Sequence, residues 1–172
     1  MTEWPKRGLG LLLAVVTYAV DQGIKGWVVD DLDLDRIGQV YVLPFFNLTW
    51  TQNFGVSLGL FTAGSPEGRW ALVAMTAAIA AFVLIWLLRE RKLPEIGALG
   101  LVLGGAAGNI HDRFNVGYVI DYADLHFGDW RPFLIFNLAD AAITIGVLII
   151  LARSLFSRDK PDAEAEPAPR PE

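Results

Sequence analysis

Residues 135–150 read IFNLADAAITIGVLII, an apolar run long enough to form most of a membrane crossing, broken near its start by Asn137 and Asp140. An Asp at the centre of a spanning helix costs roughly 2.5–3.5 kcal/mol, so a chain that keeps one within such a run uses it. On a helix, Asn137, Asp140 and Thr144 share one face, which points at the bundle interior. If that helix starts at Phe133, a rise of 1.5 Å per residue sets Asp140 roughly 10 Å below the outer surface, reachable from outside yet largely dry. Desolvation disfavours the charged form of a lone carboxylate, and a second carboxylate nearby disfavours it again. Two such groups sharing one proton are the apparatus of an aspartic protease.

The rest of the chain supplies a bundle for this run. Of 172 residues, 53% are hydrophobic and the mean hydropathy is +0.41, with the apolar residues gathered in blocks. Four blocks, at about residues 8–29, 70–88, 94–110 and 133–152, predict an all-α integral membrane protein with four transmembrane helices. They predict one membrane-embedded domain over residues 1–156, followed by a Pro, Ala and Glu rich tail, 157–172, that should be disordered. The run Leu9 to Val20 continues into Asp21 and Lys25 rather than into a small-residue cleavage site, so it reads as a retained span.

Lys6 and Arg7 precede the first span, Arg89, Arg91 and Lys92 join the second to the third, and Arg153, Arg158 and Lys160 follow the fourth. With four spans these clusters fall on one side, so both termini should be cytoplasmic and the connections 30–69 and 111–132 should face outward. The segment VYVLPFFNLTWTQNFGVSLGLF, residues 40–61, is rich in β-branched and aromatic residues. It predicts a small extramembrane β-rich cradle between spans one and two, with Phe45, Phe46, Trp50, Phe54 and Phe61 as an interfacial belt. The chain has no cysteine, which excludes disulfides and thiolate ligands.

Polar residues gather where the spans end outside. Asp21 and Lys25, four apart on one helix face, can form an ion pair that clamps the first helix to its neighbours, or can take part in chemistry. Asn53 and Gly55 stand in a turn where an amide can bond a bound backbone and a glycine permits its close approach. Residues 104–127, GGAAGNIHDRFNVGYVIDYADLHF, open with Gly104, Gly105 and Gly108, a bare helix side fit to pack on another helix or to admit a ligand chain. Asn109 and Arg113 follow four apart, and then Asp112, Asp121, Asp124 and Asp129. The two histidines, His111 and His126, lack the spacing of a metal site, so neither a metal nor another cofactor is expected.

Together DQGIK, NFG, GGAAGNIHDR, GYVIDY and FNLAD resemble the lipoprotein signal peptidase family, the bacterial signal peptidase II enzymes, over about residues 20–146. The resemblance implies an aspartic endopeptidase of the bacterial inner membrane with its active site near the outer face. Its catalytic dyad falls on Asp121 and Asp140, and its supporting or substrate-binding residues on Asp21, Lys25, Asn53, Gly55, Asn109, Arg113, Asn137 and Ala139. It implies diacylglyceryl-modified prolipoproteins as substrates, cut on the amino side of the lipidated cysteine, contact with membrane lipids, and globomycin-type inhibitors, with no nucleic acid. Asn53-Phe-Gly-Val-Ser-Leu-Gly departs from the family's usual NxGAAF, and Tyr122 replaces the commoner Phe. Asp112 and Asp124 compete for the dyad role. The expectation is that Asp112 pairs with the adjacent Arg113 and that Asp124 lies on a surface helix. A cation-coupled transporter and a lipid-binding scaffold are the rival readings; the chain's few spans and lack of an internal repeat speak against the first.

Overall fold

A computed structural model describes residues 4–55 and 65–156. Phe61 and the tail 157–172 lie outside the described residues. The long helices are α1 (Trp4–Gly26), α3 (Pro66–Arg89), α4 (Leu93–Asn115) and α5 (Leu138–Phe156); α2 (Leu34–Ile37) is a single turn. A π-helical turn over Trp27–Asp31 extends α1, and with it all four long helices are long and apolar enough to cross a membrane. They start earlier or run further than the hydropathy blocks, except that α5 starts five residues later than expected, at Leu138.

Local chemistry sets the boundaries. The Ser65 hydroxyl accepts from the Gly68 N–H at 3.1 Å, with Pro66 opening α3, a capping arrangement that satisfies one orphan donor of the first turn. At α5 the cap is reciprocal. Asn137 Oδ1 accepts from the Asp140 N–H at 2.9 Å, and Asp140 Oδ2 accepts from the Asn137 N–H at 3.4 Å. This capping box stops the helix at its own first polar residue, so 133–137 stays non-helical and Asp140 sits in the first turn of α5 rather than deep along it.

Helix α4 is the centre of the bundle and packs on α1, α3 and α5. Its glycines make that possible. A methyl group built on Gly104 would lie 2.5 Å from the Ala14 carbonyl oxygen of α1, and one on Gly105 would lie 2.5 Å from the Ala139 carbonyl oxygen of α5. One on Gly108 would collide with the Asp21 carboxylate. These faces are therefore filled by neighbouring helices, and the alternative of a bare side that admits a ligand chain does not hold. Val83 and Leu87 meet Leu99 and Val102 across α3 and α4, while Leu9, Leu12 and Val15 of α1 project outward, as lipid-facing residues do.

Three antiparallel strands, β1 (Gln39–Leu43), β2 (Phe46–Asn53) and β3 (Val119–Leu125), form one sheet in the order β1-β2-β3. Only the first two come from the connection between α1 and α3. The third follows α4, so residues 119–125 are strand, and Asp124 is not on a surface helix. The β2–β3 register sets Thr51 opposite Asp121, with an irregularity between Leu48 and Thr51. Val28, Leu34, Tyr122 and Ala123 form a small core, and Phe46 and Trp50 pack into it rather than joining Phe45 and Phe54 as exposed aromatics.

If the α4 glycines serve packing, Gly105→Ala should lower stability by roughly 1–3 kcal/mol through overpacking. Gly97→Ala, at a position with open space around it, should be neutral or slightly stabilising. Unfolding of both variants in detergent micelles tests the contrast.

Candidate active site

Asp121 lies on β3 and is 1% exposed, while Asp140 is carried by the first turn of α5. Asn137, wholly buried, joins them. Its Nδ2 donates to Asp121 Oδ1 at 2.7 Å, to Asn109 Oδ1 at 3.2 Å and to the Ile120 carbonyl at 3.2 Å, while its backbone N–H reaches Asp140. Asn109 Nδ2 donates to Asp140 Oδ1 at 2.8 Å, and Asn53 Nδ2 donates to Asp121 Oδ2 at 3.0 Å. The Gly55 N–H donates to Asn53 Oδ1 at 2.9 Å, and Gly55 itself has a φ of +83°, which only glycine adopts cheaply. Each amide oxygen is occupied, so each amide turns its NH₂ toward a carboxylate or a neighbouring oxygen.

Burial, and next the Asp140 carboxylate, push the Asp121 carboxyl up to about 6, against the hydrogen bonds from Asn53 and Asn137 and the charge of Lys25. The same surroundings push the Tyr122 phenol up to about 12, chiefly through burial. The phenol oxygen accepts the Leu138 N–H at 3.3 Å, a further bond at the start of α5.

Behind the two aspartates lies a fully engaged cation. Lys25 Nζ is 2.8 Å from Asp21, 2.7 Å from Asp112 and 3.4 Å from Asn109 Oδ1. Asp21 Oδ1 accepts the Ala139 N–H of α5 at 3.0 Å, and Asp112 Oδ2 accepts the Ile120 N–H of β3 at 3.2 Å. Gln22 Nε2 spans the two carboxylates, 3.2 Å from Asp21 and 2.9 Å from Asp112. Asp21 and Lys25 are thus a clamp, and one that grips the backbone of both elements carrying Asp121 and Asp140. Asp112 pairs with Lys25 rather than with Arg113, because Arg113 points along α4 with Nη1 on the Asn109 carbonyl at 3.4 Å and lies on the Gly55 side. Ala139 is buried against Gly108, where a larger side chain has no room.

The expected residues therefore converge: Asn53, Asn109 and Asn137 bond Asp121 or Asp140 directly, Asp21, Lys25 and Ala139 fasten the elements behind them, and Arg113, beside Gly55, is charge-coupled to both carboxylates. Gln22 and the Tyr122 hydroxyl were not anticipated as members, and Asp112, a competitor for the dyad role in sequence, instead joins as the second carboxylate on Lys25. The Asn-x-x-Asp pattern of a helix cap was present in NLAD and could have been read there. Asp124, 1% exposed, is not part of this network. Burial would push it up, but hydrogen bonds from Arg131 and Thr49 outweigh that and hold it below the usual carboxylate range. His111 bonds Tyr18 and His126 bonds Asn47, and among the described residues no three His, Asp or Glu side chains are grouped to hold a metal ion.

Two cavities open beside the aspartates. One of about 740 Å³ is lined by Asn53, Phe54, Gly55, Asp121 and the segment Arg131 to Ile135. The other, of about 280 Å³, is lined by Phe133, Phe136, Asp140, Ala141, Thr144 and Ile145.

Comparison with known proteins agrees with this geometry. The profile of the family described as signal peptidase (SPase) II matches residues 13–156. The chain belongs to the signal peptidase II family. It is 48% identical over 165 residues to the lipoprotein signal peptidase of Sphingopyxis alaskensis, covering 95% of each chain. It is 49% identical over 160 residues to that of Rhizorhabdus wittichii, covering 93% of this chain and 92% of the relative. Two solved structures described as bacterial membrane enzymes superpose with TM-scores of 0.69 and 0.66 at 29% identity, over 88% and 89% of this chain and 95% and 93% of theirs. This signal peptidase II is thus an aspartic-type protease of the bacterial inner membrane that removes signal peptides from prolipoproteins.

Two predictions follow from the buried charges. Lys25→Ala leaves two carboxylates without their cation and should cost roughly 3–5 kcal/mol in a micelle unfolding assay, with partial recovery when Asp21→Asn and Asp112→Asn are added. The second concerns Asp121, whose folded pKa of about 6 lies above the ordinary 3.8. Its ionisation penalises the folded state increasingly as pH rises from about 4 to 6 and by a constant amount above that. The Tm difference between Asp121→Asn and the unaltered protein should move in the variant's favour across that window and then level off.

Proposed function

We propose that Asp121 and Asp140 are the catalytic dyad of this peptidase, with Asp21, Lys25, Asn53, Gly55, Asn109, Arg113, Asn137 and Ala139 holding the pair or contacting substrate. The observation that supports this most directly is the doubled role of Asn137, whose side chain and backbone each donate to a different aspartate. Both carboxylates line a cavity, and the upward push on Asp121 by Asp140 is what two groups sharing a proton require. In the reaction, the ionised member of the pair takes a proton from water, which attacks the scissile carbonyl carbon. The protonated member donates to the carbonyl oxygen. The tetrahedral intermediate then collapses as the pair returns a proton to the leaving nitrogen. The pair titrates jointly, so its pH behaviour belongs to both residues.

The substrate is a prolipoprotein whose cysteine carries diacylglycerol, cut on the amino side of that cysteine. Its support is the family together with the cavity beside Asp140, which is walled by Phe133, Phe136, Ala141 and Ile145 and suits an apolar chain arriving from the bilayer. Globomycin-type inhibitors and membrane lipids occupy the same apolar surroundings in this reading.

The peptidase domain spans residues 1–156, with both termini cytoplasmic. In support, Arg7 donates to the Glu90 carbonyl at 3.2 Å and Arg153 pairs with Glu95 at 2.7 Å, so the basic positions at three helix ends gather at one end of the bundle. The dyad and the sheet then face the outer side, where β1 and β2, between spans one and two, form with β3 an extramembrane cradle over the site.

Asp140→Asn and Asp121→Asn should each remove nearly all turnover while the protein stays folded, and the double variant should be little worse than either. Release of signal peptide from a diacylglyceryl-modified precursor, with and without EDTA, measures this. Substantial turnover by Asp140→Asn, or loss of cleavage to EDTA with recovery on adding zinc, refutes the dyad.

A further inference from the structure

Phe133 is the one described residue that lines both cavities. It is 62% exposed and belongs to no helix or strand, so its place depends on how the segment around it is fastened. Downstream, Phe136 exchanges hydrogen bonds with Ala123 of β3 at 2.7 and 3.1 Å. Upstream, the chain turns at Gly128, with Phe127 and Trp130 bridged across the turn, and then reaches Arg131. The Arg131 guanidinium donates through Nε at 3.0 Å and Nη2 at 3.4 Å to Asp124. Asp124 is itself fixed, because it is buried and also accepts from the Thr49 hydroxyl of β2 at 3.2 Å.

An ion pair with one exposed partner contributes little stability. Its two-pronged geometry nevertheless sets a direction, and here it ties the strand pair β2–β3 to the residue two positions before Phe133. The dyad uses neither Asp124 nor Arg131. On one side of Phe133 the wall carries Asp121, Asn53 and Gly55; on the other it carries Asp140, Thr144 and Ile145. The phenyl ring is thus a wall shared by the two cavities.

We propose that Phe133 is a specificity-determining residue that contacts the apolar side chain next to the scissile peptide, and that Arg131, fastened to Asp124, is the positioning residue that keeps Phe133 between the two cavities. The inference rests on the dyad and substrate read above. Contact with the ring is made equally in the bound and the reacting peptide, so its loss should appear in KM rather than kcat.

The test uses the full chain in detergent micelles with a diacylglyceryl-modified precursor peptide. Phe133→Ala should raise KM roughly tenfold with kcat within about twofold, the size of effect expected when a pocket loses apolar contact. Arg131→Ala should raise KM in the same sense with an unchanged Tm. Because Arg131 acts through Phe133, the double variant should match Phe133→Ala alone instead of multiplying the two effects. A KM unmoved by Phe133→Ala overturns the proposal, whether or not the Arg131 variant folds, and multiplicative effects overturn the link between the two residues. Failure of the unaltered enzyme to cleave the peptide refutes the substrate reading and this inference with it. Normal cleavage with an unmoved KM in the variants refutes this inference alone.

Discussion

A carboxylate away from water needs its lone pairs filled, and two neighbouring carboxylates need donors placed to reach both. Asn137 meets that requirement from the position just before α5, with its side chain reaching β3. Its side-chain NH₂ serves Asp121, its backbone N–H serves Asp140, and its oxygen caps the helix that bears Asp140. An aspartate side chain at this position could not donate, and a leucine would take the 2.7 Å donor from Asp121 and the cap from the helix end. The relative placement of the two acids is in effect the conformation of one asparagine.

That asparagine holds its position because α1 and α5 lie close against α4. The close approach is set by small residues: Gly104 admits Ala14, Gly105 admits the Ala139 backbone, and Gly108 admits the Asp21 carboxylate. Only at that spacing can Asp21 reach the Ala139 N–H and Lys25 reach Asp112 across the same gap. The buried charges are individually costly, but they are mutually compensated and their remaining bonds fall on backbone N–H groups. The arrangement trades stability for the fixed location of two short backbone segments.

The four spans were legible in the sequence because their signal is bulk composition, which tertiary context does not override. The Asp21–Lys25 pair was legible because its partners sit on one helix at a fixed spacing. What failed were inferences that needed a partner from elsewhere. Asp112 was matched to its neighbour Arg113 although its cation comes from α1, and residues 119–125 join a sheet whose other strands lie far upstream. The glycine faces could equally have met a ligand or a helix, and only the packing of α1 and α5 decided. The start of the last helix was placed too early because it was counted from the first apolar residue instead of from its cap. The motif residues fell into place as a group, since each pattern keeps its internal spacing however the elements are arranged.

The sheet draws its strands from two connections separated by two helices. During synthesis the β1–β2 hairpin is complete while α3 and α4 are still being made, and until β3 arrives the far edge of β2 has no partner. Asp121 comes with that late strand and Asp140 with the final helix. A chain arrested before α5 therefore has Asp121 on its strand but lacks Asp140, so on the dyad proposed above it holds only one of the two acids. The proposed pair is therefore assembled from the two elements made latest among the described residues, β3 and α5.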